Sequence, residues 1–592
     1  MALNVRGYAY NGEAVYPGPT LSVRPGQMLK VGPVFENRRG VSWADRPLVT
    51  FAQITLENDL PAESLADAAR VMNEWRNPMT TNIHTHGLYV NPNEDSIFID
   101  VQPGETHTYE LEIPEDHHPG LHWYHAHHHG SSTLQIMGGL FGALVIDDGE
   151  HESGGALAEF EEELLVLSRI KMEAEEMDGG VTQSCGNHLP FFNPFKVYSL
   201  PELEEETTSE FDLDVEFHTS KTDQFLLVNG QYMPTMSMTA GVGKHLRLVY
   251  AAGGGRPSLS VRSEEDGRGP RECELTMLAA DGIYFDEPRS IGDADFQLMP
   301  GSRADVILTC DRAGTYYLAS SEQGTRGLFM QIDVSGSGSG SDASAVALAG
   351  IPRPDYLDDL TQASVDKHFE IHFSQGGRDS SLGCYFWMGM GSDCQPIEDG
   401  DNPSSTHPTC PFAPFGGHRG LDSSDHLFTA TVGDVVEFAV YGLGNDPHPL
   451  HIHVSPFQVV SYDVPAGEED RFDDWMVVGG WYDVVPALPG KLTIRFRAAP
   501  LPGEIVVHCH HLMHEDWGLM ETFLVAPVGG FTAAEIASGV VDSSRFDGGG
   551  SGSASGSDGA DGSDGSDEAA DGASILSAPL VTAILCAVLF FA

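Results

Sequence analysis

Four short histidine motifs hold the side chains of this sequence that are best placed to do chemistry. Each contains two histidines separated by one residue, and one of them also contains a cysteine. In a strand, residues i and i+2 leave the same face, so both imidazoles of such a pair can approach one metal cluster. The motifs are His84-Thr85-His86-Gly87, Trp123-Tyr124-His125-Ala126-His127, His448-Pro449-Leu450-His451-Ile452-His453 and His508-Cys509-His510-His511-Leu512-Met513-His514.

Four such pairs supply eight imidazole nitrogens, and imidazole suits copper, zinc, iron and nickel. The pairs lie near both ends of the body of the chain, so we expect the cluster between the first and last segments of the fold. A zinc hydrolase is the main alternative among metal enzymes. Its site uses three protein ligands and an open position, which is fewer than this set provides.

The position of Cys509 favours copper. With His448 and His514, its thiolate makes the trigonal donor set of a blue-copper electron-transfer site. Cys509 is also bonded through the backbone to His508 and His510, so an electron that reaches the sulfur has a covalent route into the histidine cluster. The motifs therefore predict redox chemistry.

The charge of the chain limits its partners. Its 592 residues include 31 Lys and Arg against 87 Asp and Glu, a net charge of −56. A field of that sign repels phosphate backbones and anionic lipids and attracts cations, so nucleic acid is excluded as a partner. The eight cysteines form no CxxC pair, which argues against structural zinc. Disulfides are plausible, but their pairing stays open.

The body of the chain has the pattern of an all-β protein. Short apolar runs such as LFGALVID, ADVILTC and LTIRFRA recur between Gly, Pro and Asp residues. Many short strands with frequent turns are typical of β-sandwiches or barrels. Helices are predicted only over 60–75 and, briefly, over 511–517.

Two changes in composition divide the body into three segments. One is the acidic, glycine-containing stretch after Ile146, and the other is SGSGSGSDAS at 335–344, which has the composition of a flexible linker. We therefore predict domains over 1–148, 155–334 and 345–530. Each has the size of one β-sandwich.

The two ends of the chain predict a location at the cell surface. Residues 547–574 form an acidic Gly/Ser spacer that we expect to be disordered. Residues 575–592 are apolar, and with the spacer they match a GPI-attachment signal, a tail anchor being the alternative. We expect the protein to lie on the extracellular face of the cell surface. The N-terminus has neither a basic region nor an apolar stretch, so a secretory signal is missing and we expect a truncated start.

The order of the histidine motifs resembles that of the multicopper oxidases, the laccase-like family with three cupredoxin domains. Six further segments resemble the family's sequences. They are Asn11-Gly12 followed by Pro17-Gly18-Pro19-Thr20, Val228-Asn229-Gly230-Gln231, Asp281-Gly282, Pro300-Gly301-Ser302-Arg303-Ala304-Asp305, Trp481-Tyr482-Asp483 and Ile494-Arg495-Phe496. The resemblance implies three consecutive cupredoxin-like Greek-key β-sandwich or barrel domains.

The resemblance also implies four copper ions. By motif position, the type 1 copper would take His448, Cys509 and His514, and the type 2 copper would take His84 and His451. The middle domain would hold no copper and act as a spacer. The type 3 pair would take His86, His125, His127, His453, His508 and His510.

Two positions depart from the family's pattern. The third motif usually ends in Gly after its last histidine, and Val454 stands there instead. The axial position of the blue site, ten residues after Cys509, is Leu519 rather than Met. Leucine cannot ligate copper, so we expect a raised potential, unless the neighbouring Met520 takes the position.

The family implies an oxidase that couples one-electron oxidation of a small reducing substrate to reduction of O2 to water. Phenols and aromatic amines are the expected substrates. The alternative is a ferroxidase, for which Asp446 and Asp516 would offer oxygen ligands to Fe(II). Proton delivery would use Glu515 and, as a weaker candidate, Asp95. A non-catalytic copper-binding surface protein is the alternative of another class. We expect a monomer whose only membrane contact is its C-terminal anchor.

Overall fold

The computed structural model describes most of the three predicted segments. The described residues are 6–10, 13–30, 49–50, 54–58, 77, 79–147, 155, 157–172, 223–267, 269–291, 296–322, 325–348, 351, 353–379, 383–390, 415, 417–422, 426–442, 447–463, 476–487, 490–539, 541 and 584–589.

The first two sheets are built almost wholly from the N-terminal part of the chain. A six-stranded sheet has the order β2-β1-β34-β6-β8-β4, and a five-stranded sheet has the order β5-β3-β10-β9-β7. The strands are β1 (Arg6–Tyr10), β2 (Glu13–Val15), β3 (Leu21–Val23), β4 (Met28–Lys30), β5 (Val49–Thr50), β6 (Ile54–Asn58), β7 (His84–His86), β8 (Thr106–Glu112), β9 (Gly120–His125), β10 (Phe141–Ile146) and, from the C-terminus, β34 (Ile584–Leu589).

The middle of the chain forms the next two sheets. Their orders are β13-β12-β11-β15-β20-β17-β18 and β14-β22-β21-β16-β19. The strands are β11 (Glu161–Met172), β12 (Asp223–Val228), β13 (Gln231–Tyr232), β14 (Thr235–Thr239), β15 (Lys244–Tyr250), β16 (Ser258–Arg262), β17 (Cys273–Ala280), β18 (Ile283–Ser290), β19 (Phe296–Gln297), β20 (Arg303–Cys310), β21 (Gly314–Glu322) and β22 (Thr325–Ser335).

The last two sheets have the orders β24-β23-β26-β31-β28-β29 and β25-β33-β32-β27-β30. The strands are β23 (Lys367–Asp379), β24 (Gly383–Met390), β25 (Thr429–Thr431), β26 (Val435–Gly442), β27 (His448–Ile452), β28 (Phe457–Asp463), β29 (Trp481–Tyr482), β30 (Val484–Ala487), β31 (Lys491–Arg497), β32 (Gly503–Cys509) and β33 (Met520–Ala526). The fold is therefore all-β, with three consecutive cupredoxin-like domains, as predicted.

Helices are few and short among the described residues. They are α1 (Ser132–Gly138), α2 (Leu512–Asp516) and α3 (Ala533–Ser538), with 3₁₀ turns at Ala343–Ala345 and Asp355–Leu357. The helix predicted over 511–517 is confirmed as α2, whereas 60–75 lies outside the described residues. None of the described helices is long and apolar enough to cross a membrane.

The burial of side chains along a strand shows whether one face of that strand is exposed to water or both faces are covered. In β14 exposed and buried residues alternate, which is the pattern of a strand with one face in water. In β9, β10, β32 and β33 every residue is buried. These four strands carry or adjoin the histidine motifs, so the motifs lie where sheets of different domains cover each other.

The serine- and glycine-rich stretch at 335–344 differs from a flexible linker. It lies along the middle domain, where the backbone N–H of Gly338 donates to the carbonyl of Ala240 at 2.8 Å and that of Gly340 donates to Gly241 at 2.8 Å. With almost no side chains, the segment can approach the strand ends closely enough for these bonds to form.

The chain's apolar C-terminal end contributes one strand to the first sheet. β34 pairs antiparallel with β1 and parallel with β6. Residues 547–574 lie outside the described residues, so the expected disorder of the spacer stays a prediction. Attachment through a GPI anchor also stays a prediction.

Candidate metal centre

Strand pairing brings the histidine motifs together within each end of the chain. In the first domain, β7 pairs antiparallel with β9, and His84 lies opposite His125. In the last domain, β27 pairs antiparallel with β32, and His451 lies opposite His508. The two pairs face each other across the domain boundary, because the rings of His84 and His453 stack at 3.8 Å, as do those of His86 and His451.

Three groups of converging ring nitrogens together include all eight histidines. Within each group one nitrogen per residue lies within 4.8 Å of the others. Two groups share no member and have three residues each, as the type 3 assignment requires. The third contains both histidines assigned to the type 2 copper together with His86. The groups are His86, His125 and His510; His127, His453 and His508; and His84, His86 and His451.

The hydrogen bonds of these rings leave one nitrogen aimed into the cluster. His84 Nδ1 lies 2.7 Å from Asp95 Oδ2, and His451 Nδ1 donates to the carbonyl of Asp483 at 2.8 Å. His125 Nδ1 donates to the carbonyl of Ala126 at 3.0 Å. The Nε2 atoms of these three histidines are buried without a partner. Ligating histidines bond their other ring nitrogen in this way, so the residues fit copper.

Burial keeps these imidazoles in the form that binds metals. It lowers the pKa of His84, His125 and His510 well below its ordinary value, and the neighbouring imidazoles lower it further. At neutral pH the rings are therefore uncharged, and each presents a lone pair. The cluster would be costly to bury without a cation, since many orphaned acceptors face one another.

The three residues assigned to the blue site also converge. Cys509 Sγ lies 3.4 Å from His448 Nδ1 and 3.7 Å from His514 Nδ1, and the two nitrogens are 3.3 Å apart. Cys509 and His448 are buried, whereas His514 is half-buried. His514 is thus the edge of the site nearest to solvent. A thiolate and two imidazoles in this compact triangle match the equatorial ligands of a blue-copper site.

Strand alternation places Leu519, not Met520, on the side of Cys509. The N–H of Cys509 donates to the carbonyl of Leu519 at 3.0 Å. Met520 pairs with His508 and packs in a separate apolar cluster with Ile97 and Val506. Adjacent strand residues point to opposite faces, so Met520 lies on the other side of the sheet from the sulfur.

The buried ion pair of Arg303 and Asp483 contacts the ring of His86. Arg303 donates to both carboxylate oxygens of Asp483, at 2.6 and 2.5 Å, and Asp483 Oδ1 lies 3.3 Å from His86 Nε2. Asp281 in turn accepts the backbone N–H groups of Asp483 and Val484 at 3.1 and 3.0 Å. The middle domain therefore takes part in the site through Arg303 and Asp281. Sequence analysis noted their segments but gave these residues no role.

Both carboxylates expected to deliver protons contact ligand histidines. Glu515 is fully buried, and its two oxygens lie 3.3 Å from His127 Nδ1 and 3.2 Å from His508 Nδ1. Asp95 bonds His84 and accepts the backbone N–H of Thr85 at 2.8 Å. Burial raises the pKa of Asp95 to about 7 and raises that of Glu515 as well. Asp95 can therefore hold or release a proton near neutral pH, and burial favours the protonated form of Glu515.

A cavity connects Asp95 with the surface of the last domain. Its walls include Asp95 and His453 at the inner end, and half-exposed His418 together with Glu504 further out. Val454 also lines it, with a φ of 64°, the left-handed region that favours glycine. The glycine usual at this position has thus been replaced although the backbone keeps the glycine conformation.

The structure places Asp516 away from any surface iron site. Asp516 is fully buried and accepts the backbone N–H groups of Gly130, Ser132 and Thr133 at 2.8 to 3.0 Å, at the start of α1. Its role is to join α2 to the first domain. Asp446 lies outside the described residues.

Four histidines near the motifs but outside the assigned ligand positions are buried. His117, His118, His128 and His129 are each at most 7% exposed. His128 Nδ1 lies 2.9 Å from Asp100 Oδ1. His122, which sequence analysis did not single out, is fully buried beside His117 and His118. Its spacing from His125 does not fit the H-x-H pattern, so nothing local pointed to it.

One disulfide is present among the described cysteines. It joins Cys273 and Cys310, which lie opposite each other on β17 and β20. Cys509 is free, as a copper ligand must be.

Comparisons with known proteins agree with this geometry. Two sequence profiles, both described as multicopper oxidase, match residues 67–151 and 398–529. The laccase of Bacillus subtilis is 22% identical over 542 residues, which cover 87% of this chain and 89% of that protein. The iron transport multicopper oxidase fio1 of Schizosaccharomyces pombe is 22% identical over 497 residues, which cover 77% of this chain and 69% of that protein.

A similar fold is found among solved structures. The multicopper oxidase of Campylobacter jejuni, described as a metallo-oxidase, superposes with a TM-score of 0.55 at 18% identity. The alignment covers 88% of this chain and 90% of that one. At this identity the likeness concerns the fold.

Replacing Cys509 with serine will abolish the blue absorbance and the oxidase activity of the copper-loaded protein. A hydroxyl is a poor copper ligand and cannot supply the sulfur charge-transfer band. Absorbance and O2 uptake measure the loss, and circular dichroism checks that the fold persists. Retained blue absorbance would show that Cys509 is not a ligand.

Replacing Leu519 with methionine will lower the reduction potential of the blue site. A thioether at the axial position donates electron density to the copper and stabilises its oxidised form. A redox titration followed at the blue band measures the shift. The matched control is Met520→Leu, which we expect to leave the potential unchanged. An unaltered potential in Leu519→Met would mean that Leu519 is not axial.

Proposed function

Because the chain belongs to the multicopper oxidase family, we propose that it is a laccase-type enzyme that couples one-electron oxidation of phenolic and related aromatic substrates to the four-electron reduction of O2 to water. One observation carries the proposal. The triangle of Cys509, His448 and His514 is joined through His508 and His510 to eight converging histidines, with all eleven assigned positions filled.

When bound, the four copper ions would supply the one-electron redox steps. The type 1 ion would be held by Cys509, His448 and His514, and the other three by the eight histidines. His514 is the half-buried edge of the blue site, so a substrate is oxidised against its ring. The backbone of β32 joins Cys509 to histidines of two different groups, which gives the electron two short routes inward.

Reduction of O2 to water also requires protons, and Glu515 and Asp95 lie where they are needed. Glu515 bridges His127 and His508, while Ser132 Oγ donates to its Oε1 at 2.8 Å. Asp95 lies at the inner end of the solvent cavity. We assign proton supply to both groups, Asp95 exchanging with water through the cavity and Glu515 acting inside the closed junction.

The charges near His514 favour an aromatic reductant over Fe(II). Burial lowers the pKa of His511, beside the blue site, to about 4, and the nearby guanidinium groups of Arg256 and Arg169 lower it further. Asp516, the neighbouring carboxylate, is buried and bonded to three backbone N–H groups. Guanidinium groups repel a divalent cation, whereas they attract a phenolate or a carboxylate-bearing phenol.

Ferroxidase activity is the second candidate. The net charge of −56 would concentrate Fe(II) around the molecule, and Asp446 is close in sequence to His448. A non-catalytic copper-binding protein is the third candidate, and it would take up no O2.

We also propose that the protein acts at the extracellular face of the cell surface, attached through its apolar C-terminal segment, by a GPI anchor or as a tail anchor. This rests on composition, namely the acidic Gly/Ser spacer followed by an uncharged run with small residues before it. This attachment requires that β34, which lies in the same segment, leave its place between β1 and β6 in the first sheet. A surface position would give the enzyme direct access to O2 and to diffusible phenols.

The full chain, loaded with copper, will show a higher kcat/KM for a methoxyphenol than for Fe(II). The positive groups beside His514 and the burial of Asp516 provide the reason. O2 uptake with each reductant measures it, and Cys509→Ser corrects for uncatalysed oxidation. A higher value for Fe(II) would make the protein a ferroxidase. No uptake with either, at full copper content, would favour the binding protein.

Replacing Glu515 with glutamine will slow reoxidation of the reduced enzyme by O2 by about 10²-fold, because a positioned proton donor contributes on that order. Anaerobic reduction of the blue site by substrate will change far less. Stopped-flow absorbance separates the two steps.

The matched control for this experiment is Glu521→Gln. Glu521 is another buried carboxylate whose pKa burial raises to about 7, but it pairs with Arg419 at 2.8 Å. If both variants slow reoxidation equally, the effect is one of stability and Glu515 is not the donor.

A further inference from the structure

Three histidines outside the eleven assigned ligands form a second buried cluster. His117 and His118 precede β9, and His122 lies within it. They are 3%, 4% and 0% exposed, and one ring nitrogen of each lies within 4.8 Å of the others. Buried histidines normally have a partner for each ring nitrogen, so the partners of these three decide what the cluster can do.

Both ring nitrogens of His117 have hydrogen-bond partners within the protein. Its Nδ1 donates to the carbonyl of His118 at 2.7 Å, and its Nε2 accepts the backbone N–H of Tyr89 at 2.9 Å. This pattern fixes the tautomer, since a carbonyl can only accept. His117 therefore holds the loop in place.

His118 has one nitrogen fixed and one open. Its Nδ1 lies 2.7 Å from the hydroxyl of Tyr356, which also accepts the backbone N–H of His118 at 2.9 Å. The ring of Tyr356 stacks on Tyr89 at 3.8 Å, so the hydroxyl is held rigidly. The Nε2 of His118 is buried without a partner. An imidazole oriented through one nitrogen and open at the other is the arrangement of a metal ligand.

His122 has no hydrogen-bond partner at either nitrogen, although it is fully buried. Two glycines with positive φ, Gly87 and Gly282, pack against its ring. A Cβ on Gly282 would lie 2.9 Å from His122 Cε1. The ring is thus closely enclosed by backbone, and its lone pair faces His117 and His118.

Charged groups of both signs lie beside the cluster. A Cβ on Gly87 would meet Arg303 Nη2 first and would lie 2.8 Å from both His122 Nδ1 and Asp483 Oδ2, so the Arg303–Asp483 ion pair lies beside the ring. The guanidinium of Arg303 also faces Asp281, whose Oδ1 lies 3.7 Å from its Nη1. Burial lowers the pKa of His122 well below its ordinary value, and the neighbouring imidazoles and guanidinium groups lower it further, so the ring is neutral and offers its lone pair.

We propose that His118 and His122 bind one further transition-metal ion, copper or zinc, separate from the four copper ions of the oxidase centre. His118 Nε2 and a ring nitrogen of His122 are the ligands. Tyr356 orients the ring of His118, and His117 holds the loop that carries it. Neutral imidazole is a ligand common to copper and zinc.

Metal analysis of the purified full chain tests this inference. The protein is loaded with copper alone or with copper followed by zinc, and loosely held cations are removed by gel filtration in a chelator. We expect one ion per chain beyond the four coppers. His122→Leu and, more conservatively, His118→Gln will each lose that ion while the blue absorbance per chain stays at the wild-type level. The two loading schemes distinguish copper from zinc.

The control variant is His368→Ala, which removes a half-exposed histidine that lies on β23 of the last domain and pairs with Glu437. It will keep the wild-type metal content. The inference is overturned if the wild-type chain holds no metal ion beyond the four copper ions under either loading scheme. It is also overturned if both His122→Leu and His118→Gln retain the wild-type number of ions. Neither result depends on whether the enzyme prefers phenols or Fe(II).

Discussion

The contact between Arg303 and Asp483 is the interaction on which the rest of the centre depends. The histidines come from strands at opposite ends of the chain, and only the meeting of the first and last domains makes them one cluster. Arg303, from the middle domain, donates hydrogen bonds through both Nη atoms to the carboxylate of Asp483 in the last domain. The same carboxylate contacts His86 of the first domain. Removing one partner of such a buried pair costs about 3–5 kcal/mol. The middle domain is therefore structurally part of the centre.

Burial gives the junction its affinity for metal. The histidines are uncharged because water is excluded from them, and several ring nitrogens have no protein partner. Each unsatisfied buried acceptor costs about 1–3 kcal/mol. Metal binding removes that cost, so folding of the domain interface and metal binding stabilise each other. The same reasoning applies to the open nitrogens of His118 and His122.

Similar buried carboxylates serve different purposes because their partners differ. Glu515 and Asp516 are adjacent, and both are fully buried. Glu515 faces two ligand histidines, which suits it to handle protons. Asp516 faces three backbone N–H groups of the first domain, which makes it an anchor between domains. Neither composition nor the charge of the whole chain distinguishes them, since adjacent residues of a helix such as α2 point in directions about 100° apart.

The all-β fold and the convergence of the histidine pairs could be predicted from the sequence, because short apolar runs between turns form strands and H-x-H on a strand puts both rings on one face. The sets of ligand positions came from the resemblance to the multicopper oxidases. The choice between Leu519 and Met520 was left open by the sequence and depends on how β33 pairs with β32. The buried state of Asp516, the docking of residues 335–344, and the roles of Arg303, Asp281 and His122 were decided only by the tertiary structure. Each depends on contacts between residues far apart in the chain, and local spacing carries no information about which domain surface a side chain will meet.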